Sequence, residues 1–450
     1  MSVSSEQRTK IAIKTDLPGP KARAYLETSE RYEPRSMSEQ VPVVWARAQG
    51  CYVEDVDGNV FLDMSSGVLV ANAGHSHPKL VAEMRAQADR VVNCYDFVNE
   101  WRPLLAQKLV EITPPNLDRA FIITTGGEAV EAALKIARKY TERKEILAFH
   151  GAFHGRTYGS MSIGGKRSGA GTAGFGPFLS GVIFAPFPYC YRCAFGQTYP
   201  QCELHCLRYL DWLMDTESEG DLAAVIVETY QGAAGSIIAP PEWMTGLAEW
   251  CRKRDALLIV DEVQASFGRT GKLFGFEHYG IQPNLLCLGK GISSGLPVSA
   301  LLSESRIMEV LKPGSLSSTH GGNAFGSRVA LKNIEVIIEE KMSENSARVG
   351  AAMLRRFKAM EERYSCVGEA RGMGLALALE LVNDRTTKEP APKLAHVVIE
   401  QCYRQGLLMI APIGMWGQVI RISPPLVITE AEAMHACDII EGAIKEVAPH

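Results

Sequence analysis

An α/β fold with a large, doubly wound, mostly parallel sheet and a second, smaller α+β domain is what the sequence predicts, on three observations. Short apolar runs over 120–124, 223–228 and 257–261 each end on a polar residue: Thr124, Glu228 and Asp261. Amphipathic segments such as Glu128 to Tyr140 and Trp243 to Arg254 interleave with the runs, so strand and helix alternate. After a long helical pattern from Asn323 to Lys341 the rhythm changes to helix, strand pair, helix, strand pair, helix.

The three runs are continuous rather than alternating, which marks strands buried on both faces of a parallel sheet. In such sheets ligands bind beyond the carboxyl ends of the strands, where Thr124, Glu228 and Asp261 are expected to gather. From Gly50 to Asp63, alternating apolar residues flank Asp57-Gly58, a hairpin signal. The expected division is an N-terminal segment, 1–72, joining the small domain; a large cofactor-binding domain, 73–335; and a small C-terminal domain, 336–450. A chain of 450 residues suits two domains.

Composition narrows the partners. The 46% hydrophobic and 22% charged fractions fit an ordinary soluble protein, and a formal charge of −4 gives no electrostatic reason to expect nucleic acid. Residues 1–23 hold no apolar stretch long enough for a signal-peptide core. The apolar runs at 256–260 and 375–379 fall far short of the ~20 residues that span a bilayer. The expectation is a cytoplasmic protein acting on small molecules. Eleven cysteines are too few for a disulfide scaffold in a chain of this length.

Three stations bear chemistry. Thr124-Thr125-Gly126-Gly127-Glu128 is a strand end, two glycines and a helix start, where backbone amides can approach a phosphate. Asp261-Glu262-Val263-Gln264 follows the run ALLIV, and a carboxylate at a buried strand end needs a cationic partner such as a protonated pyridine nitrogen. Lys290 stands between Gly289 and Gly291 after Leu285 to Leu288, and a desolvated amine suits imine formation. Taken singly, each is equally a helix cap, a loop carboxylate or a surface lysine.

In this order the stations resemble the subgroup II (class III) pyridoxal-phosphate-dependent aminotransferases of fold type I. The resemblance covers nearly the whole chain. It extends to Gly74-His75-Ser76-His77-Pro78, His150 to Thr157 (HGAFHGRT), Gly268-Arg269-Thr270-Gly271, Ser318 to Asn323 (STHGGN) and Arg421 in IRISPPL. It implies that Lys290 holds the cofactor as a Schiff base and shuttles the proton, and that Asp261 keeps the ring nitrogen protonated. Gly126 and Gly127 would bind the phosphate, Phe153 and Val263 would cover the two ring faces, and His154 and Gln264 would complete the cofactor site. Thr319 would reach the phosphate of a neighbouring subunit, which implies a homodimer or higher homo-oligomer.

Resemblance also implies a substrate set. Arg421 matches the arginine for the carboxylate next to the reacting carbon, and Glu228 the glutamate that pairs with it when an ω-amine enters. Arg156 matches the arginine that grips a distal carboxylate, and Val68 a residue against the substrate chain. The set looks most like that of 4-aminobutyrate aminotransferases, moving an amino group from an ω-amino acid to 2-oxoglutarate to give a semialdehyde and glutamate. Amino-acid racemases or epimerases and dialkylglycine-type decarboxylases use the same cofactor site and stand as the alternative. Two departures bear on the choice: Glu228-Thr229-Tyr230-Gln231 where EPVQ is usual, with Tyr230 expected to narrow or reorient the pocket, and Gly127 where Ser, Thr or Ala is common.

One cluster stands apart. Cys190, Cys193, Cys202 and Cys206, with His205 among them, have the number and kind of ligands for structural zinc or an iron-sulfur cluster. Free thiols under a loop, or two disulfides, are the other readings of the same spacing.

Overall fold

The computed structural model describes residues 10–37, 39–165 and 172–447. Residues 1–9 of the N-terminal stretch lie outside the described residues. The chain forms two compact units, Met1–Pro78 with Asn345–His450, and Lys79–Glu344.

In the first unit β1 (Trp45–Gln49), β2 (Tyr52–Asp55) and β3 (Val60–Asp63) pair antiparallel in sequence order. Asp55 holds the β2–β3 turn, its Oδ1 accepting the amides of Asp57 and Asn59, while Gly58 takes the left-handed φ of +84° that the turn requires.

The second unit is built on seven strands. They are β4 (Arg119–Ile123), β5 (Glu145–Phe149), β6 (Val182–Ala185), β7 (Leu222–Glu228), β8 (Leu257–Asp261), β9 (Leu285–Leu288) and β10 (Ser299–Ser303). Their order is β4-β10-β9-β8-β7-β5-β6. The pairs from β6 to β9 are parallel, and β10 alone runs against its neighbours β9 and β4. Every residue of β7, β8 and β9 is buried, as continuous apolar runs in a covered sheet must be. The helix Gly126–Thr141 buries Ala129, Val130, Ala133 and Ala137, a stripe at helical spacing that packs against this sheet.

The chain then returns to the first unit. There β12 (Ala376–Asp384) lies between β11 (Val367–Met373) and β15 (Val419–Ile422), with the short β13 (Glu389–Pro390) pairing at its end. The two-residue β14 (Leu407–Leu408) pairs parallel with β3, so the N-terminal hairpin and the C-terminal segment share one sheet. Among the described residues no helix is long and apolar enough to cross a membrane.

Ile226, fully buried in β7, shows how the sheet is held. Ile226→Ala is expected to lower unfolding stability by about 2–5 kcal/mol, because the close-packed sheet cannot collapse onto the lost volume. Urea unfolding of variant and wild type measures it, and a loss below about 1 kcal/mol would show a looser core.

Candidate active site

The parallel register sets the first pair of groups. Glu228 ends β7 opposite Asp261, the last residue of β8, and Asp261 lies opposite Cys287 near the end of β9. Both carboxylates are buried, 4% and 6% exposed, so each needs partners that replace water. For Asp261 these are the Val263 amide, 3.0 Å from Oδ1, and His154 Nδ1, 2.7 Å from Oδ2. Burial pushes the His154 imidazole down, but the Asp261 carboxylate outweighs it and the net shift is upward. The other ring nitrogen, Nε2, is buried without a hydrogen-bond partner among the described residues.

Three distant segments then close on one point. The Val263 side chain fills the space where Gly126 lacks a Cβ, its Cγ1 2.8 Å from where that atom would be, and lies 3.2 Å from the corresponding point at Gly289. The turn at Gly126, the strand end after Asp261 and the residue before Lys290 are thus in contact, and a side chain at Gly126 would part them. Lys290 itself takes a left-handed φ of +44°, uncommon for a residue with a side chain, and is half-buried between Gly289 and the buried Gly291. Lysine here is held by its surroundings rather than by preference.

The turn before the helix Gly126–Thr141 is organised by a capping box. Thr125 Oγ1 accepts the Glu128 amide at 3.2 Å, and Glu128 Oε2 accepts the amides of Thr124 and Thr125 at 3.1 and 2.8 Å. Burial raises the Glu128 carboxyl, yet the hydrogen bonds from Thr124 and Thr125 leave it below its ordinary value. The amides of Gly126 and Gly127 come next, in the first turn where a helix cannot pair its N–H groups internally, and with the positive helix end they suit an anion. A Cβ on Gly127 would meet the Thr157 side chain at 3.4 Å, so a small residue there is tight but tolerable.

Glu228 is clamped by backbone. Its Oε1 accepts the Phe153 amide at 2.9 Å and its Oε2 the Gly232 amide at 3.1 Å. Burial pushes the carboxyl up to about 7, with His154 pulling it down and Asp261 adding to the rise. Arg156 is exposed, and its guanidinium lies 5.6 Å from the centre of the Phe153 ring. Phe153 therefore joins the two residues, through its amide to Glu228 and through its ring to Arg156. Gln264 packs against Gly232, where a Cβ would lie 2.6 Å from its amide carbon.

Val68 and Arg421 belong to the first unit. Val68 is 40% exposed with a φ of +67°, within four consecutive residues, Ser66 to Leu69, of positive φ. A β-branched residue there is strained. The turn is tied to the chain just past Arg421 by Ser66 Oγ, which donates to the Ser423 carbonyl at 2.6 Å. Arg421 is buried on β15, opposite Ala378 of β12. Thr319 is exposed in the second unit, and its carbonyl accepts from Asn93 Nδ2 at 3.0 Å.

Some participants carry no sequence signal. Glu262 is fully buried beside Asp261, accepting the amides of Gly275 and Phe276, and burial pushes it up to about 7. Glu131 accepts three donors from the segment after Arg156. Glu262 stands in the sequence only as a neighbour of Asp261, and Glu131 as an ordinary acidic residue near a helix start. Tyr230, expected at the pocket, is buried at 2% exposure.

The metal expectation is corrected. Cys190, Cys193, Cys202 and Cys206 form no disulfides, and with His205 they line one cavity of about 20 Å³. Burial, and then the three neighbouring cysteines, push the Cys206 thiol up to about 12. Yet among the described residues no three or more His, Cys, Asp or Glu are arranged to hold a metal ion, so zinc or an iron-sulfur cluster finds no support. Sequence spacing brought the thiols into one place without bringing them to ligand geometry.

The second unit fits pyridoxal phosphate. It offers a helix start whose first two residues carry no side chain and whose amides suit an anion, a buried carboxylate suited to a pyridinium, and Lys290 next to Gly289, which packs on Val263. The aminotransferase class-III family model matches residues 34–444. A leucine/methionine racemase from Thermococcus litoralis is 35% identical over 90% of this chain and 91% of its own. A 4-aminobutyrate aminotransferase from Mycobacterium leprae is 34% identical over 95% and 96%. An amine transaminase from an uncultivated Pseudomonas species, solved in its pyridoxal-phosphate-bound form, superimposes with a TM-score of 0.87 at 31% identity, over 92% of this chain and 98% of that one. With its mostly parallel sheet and this site, the chain belongs to the class-III aminotransferases, pyridoxal-phosphate-dependent transaminases of fold type I.

Proposed function

We propose that the protein transfers an amino group from an ω-amino acid such as 4-aminobutyrate to 2-oxoglutarate, giving a semialdehyde and glutamate. The observation that carries this reading is the Phe153 bridge, which puts the buried Glu228 and the exposed Arg156 guanidinium on one residue. Arg156 supplies a planar fork for the distal carboxylate that 4-aminobutyrate and 2-oxoglutarate share. Arg421 serves the carboxylate beside the reacting carbon of glutamate, and Glu228 offsets it when an ω-amine leaves that place empty. Val68 bounds the substrate chain.

Bound pyridoxal phosphate supplies a conjugated sink for the electron pair left at the substrate's reacting carbon. Lys290 Nζ would be the base that takes the proton from that carbon and the acid that returns it. Asp261, fixed by His154, would keep the ring nitrogen protonated, while the Gly126 and Gly127 amides would hold the phosphate. Phe153 and Val263 would bound the ring faces and Gln264 would serve the ring hydroxyl. A homodimer is part of the reading: Val91, Val92, Tyr95, Phe97 and Val98 are 47–80% exposed in the segment that Asn93 ties to Thr319. A second copy would cover them and receive Thr319 at its phosphate.

The second reading is a racemase on the same site, favoured by the racemase likeness and by Thr229 and Tyr230. Holoenzyme incubated with 4-aminobutyrate and 2-oxoglutarate is expected to form glutamate. Loss of optical rotation in L-leucine without any oxo acid, and no glutamate, would replace transfer by racemisation. Lys290→Ala is expected to reduce turnover by about 10²–10⁴-fold, the contribution of a positioned acid/base, while the protein stays folded by circular dichroism.

Glu228 also predicts a pH dependence. Its carboxyl is raised from 4.5 to about 7, so the folded chain keeps a proton that the unfolded chain releases in that window. Stability from this group is present below about 4.5 and is lost as pH rises through about 7. In cofactor-free protein, Glu228→Gln is therefore expected to gain on wild type between pH 5 and pH 8, on the order of 2 kcal/mol by urea unfolding. An equal difference at both pH values would contradict the shift.

A further inference from the structure

Resting on the role proposed for Arg156, we infer that Glu131 is the positioning residue that sets the Arg156 grip, and with it the preference for dicarboxylate over monocarboxylate substrates. A single oxygen, Glu131 Oε1, accepts Thr157 Oγ1 at 2.7 Å, the Gly159 amide at 2.7 Å and the Ser160 amide at 3.1 Å. These amides belong to the first turn of the helix Tyr158–Ser162, where no intrahelical partner exists. Thr157, its N-cap, makes no side-chain capping bond. The cap comes instead from a different helix.

That helix is Gly126–Thr141, whose first residues form the phosphate turn, and Glu131 lies one turn beyond Gly127. The other side of Arg156 is fixed to the same helix. Gly155, at a φ of +130°, approaches so closely that a Cβ on it would lie 2.8 Å from the Gly127 Cα and 2.7 Å from Ser160 Oγ. A Cβ on Gly159 would likewise strike the Glu131 carboxylate. The backbone on both flanks of Arg156 is therefore locked to the element that carries the phosphate amides. The guanidinium is exposed and rests over Phe153, so its reach depends on where its backbone is held. One rigid helix fixes the spacing between the cofactor's phosphate turn and the distal carboxylate site.

The test uses Glu131→Gln, which keeps the side chain's size but removes its charge, and Thr157→Val, which removes one donor from the other side. Both are read as holoenzyme against wild type. Dissociation constants for glutarate and butyrate are measured by calorimetry, alongside KM and kcat for 2-oxoglutarate and pyruvate with one amine donor. Glutarate binding and the 2-oxoglutarate KM are expected to weaken by about tenfold, the loss of a charge-assisted hydrogen bond, with butyrate, pyruvate and kcat unchanged. In Arg156→Ala the same selective loss is expected, and adding Glu131→Gln to it should cost nothing further. If Arg156→Ala weakens glutarate and neither other variant does, the positioning role is overturned while the role of Arg156 stands. If Arg156→Ala leaves glutarate binding unchanged, the role of Arg156 fails and this inference with it. Equal loss for mono- and dicarboxylates would reduce Glu131 to a general structural residue and also overturn it.

Discussion

Two carboxylates side by side at the ends of adjacent parallel strands are the constraint around which the second unit is arranged. Glu228 and Asp261 are opposed in register and almost fully buried, so neither can rely on water. Each is met by the same short segment: His154 binds Asp261, and the amide of Phe153 binds Glu228. Two adjacent residues therefore hold the two strand ends. Burial is the main reason that Glu228 is displaced upward, and the neighbouring Asp261 carboxylate adds to the rise.

Close backbone approach does the rest. Gly126 and Gly289 have no Cβ where the Val263 side chain enters, and Gly155 has none where it passes Gly127. These absences let the phosphate turn, the lysine and the Arg156 segment converge on the end of the sheet that the carboxylates occupy. Each unit also holds strain: Lys290 in the second and Ser66 to Leu69 in the first take backbone conformations that side chains disfavour. A fold that tolerates such residues must over-determine them by packing and hydrogen bonds, as Ser66 is determined by its bond to Ser423.

Much of this was legible in the sequence, for identifiable reasons. Runs 223–228 and 257–261 became β7 and β8 because a continuous apolar stretch ended by a polar residue has few other solutions in an α/β chain. Asn323 became the N-cap of the helix Ala324–Glu339 because its side chain can accept the Gly326 amide. The strand Ser299–Ser303 gave no comparable signal, and its antiparallel direction depends on where the chain must return, which is a non-local matter. The four cysteines mark the opposite failure. Spacing along the chain brought their thiols to one cavity, but ligand geometry depends on tenths of an ångström that spacing does not encode.

The sequence by itself determined the sheet-and-helix alternation, because apolar periodicity is a local property, and, through the family resemblance that its ordered motifs carry, the cofactor class. Only the tertiary structure decided that His154 meets Asp261, which amides clamp Glu228, and that Glu131 caps the segment beyond Arg156. Those depend on residues tens of positions apart meeting within a hydrogen-bond length, and nothing in a linear pattern sets that distance.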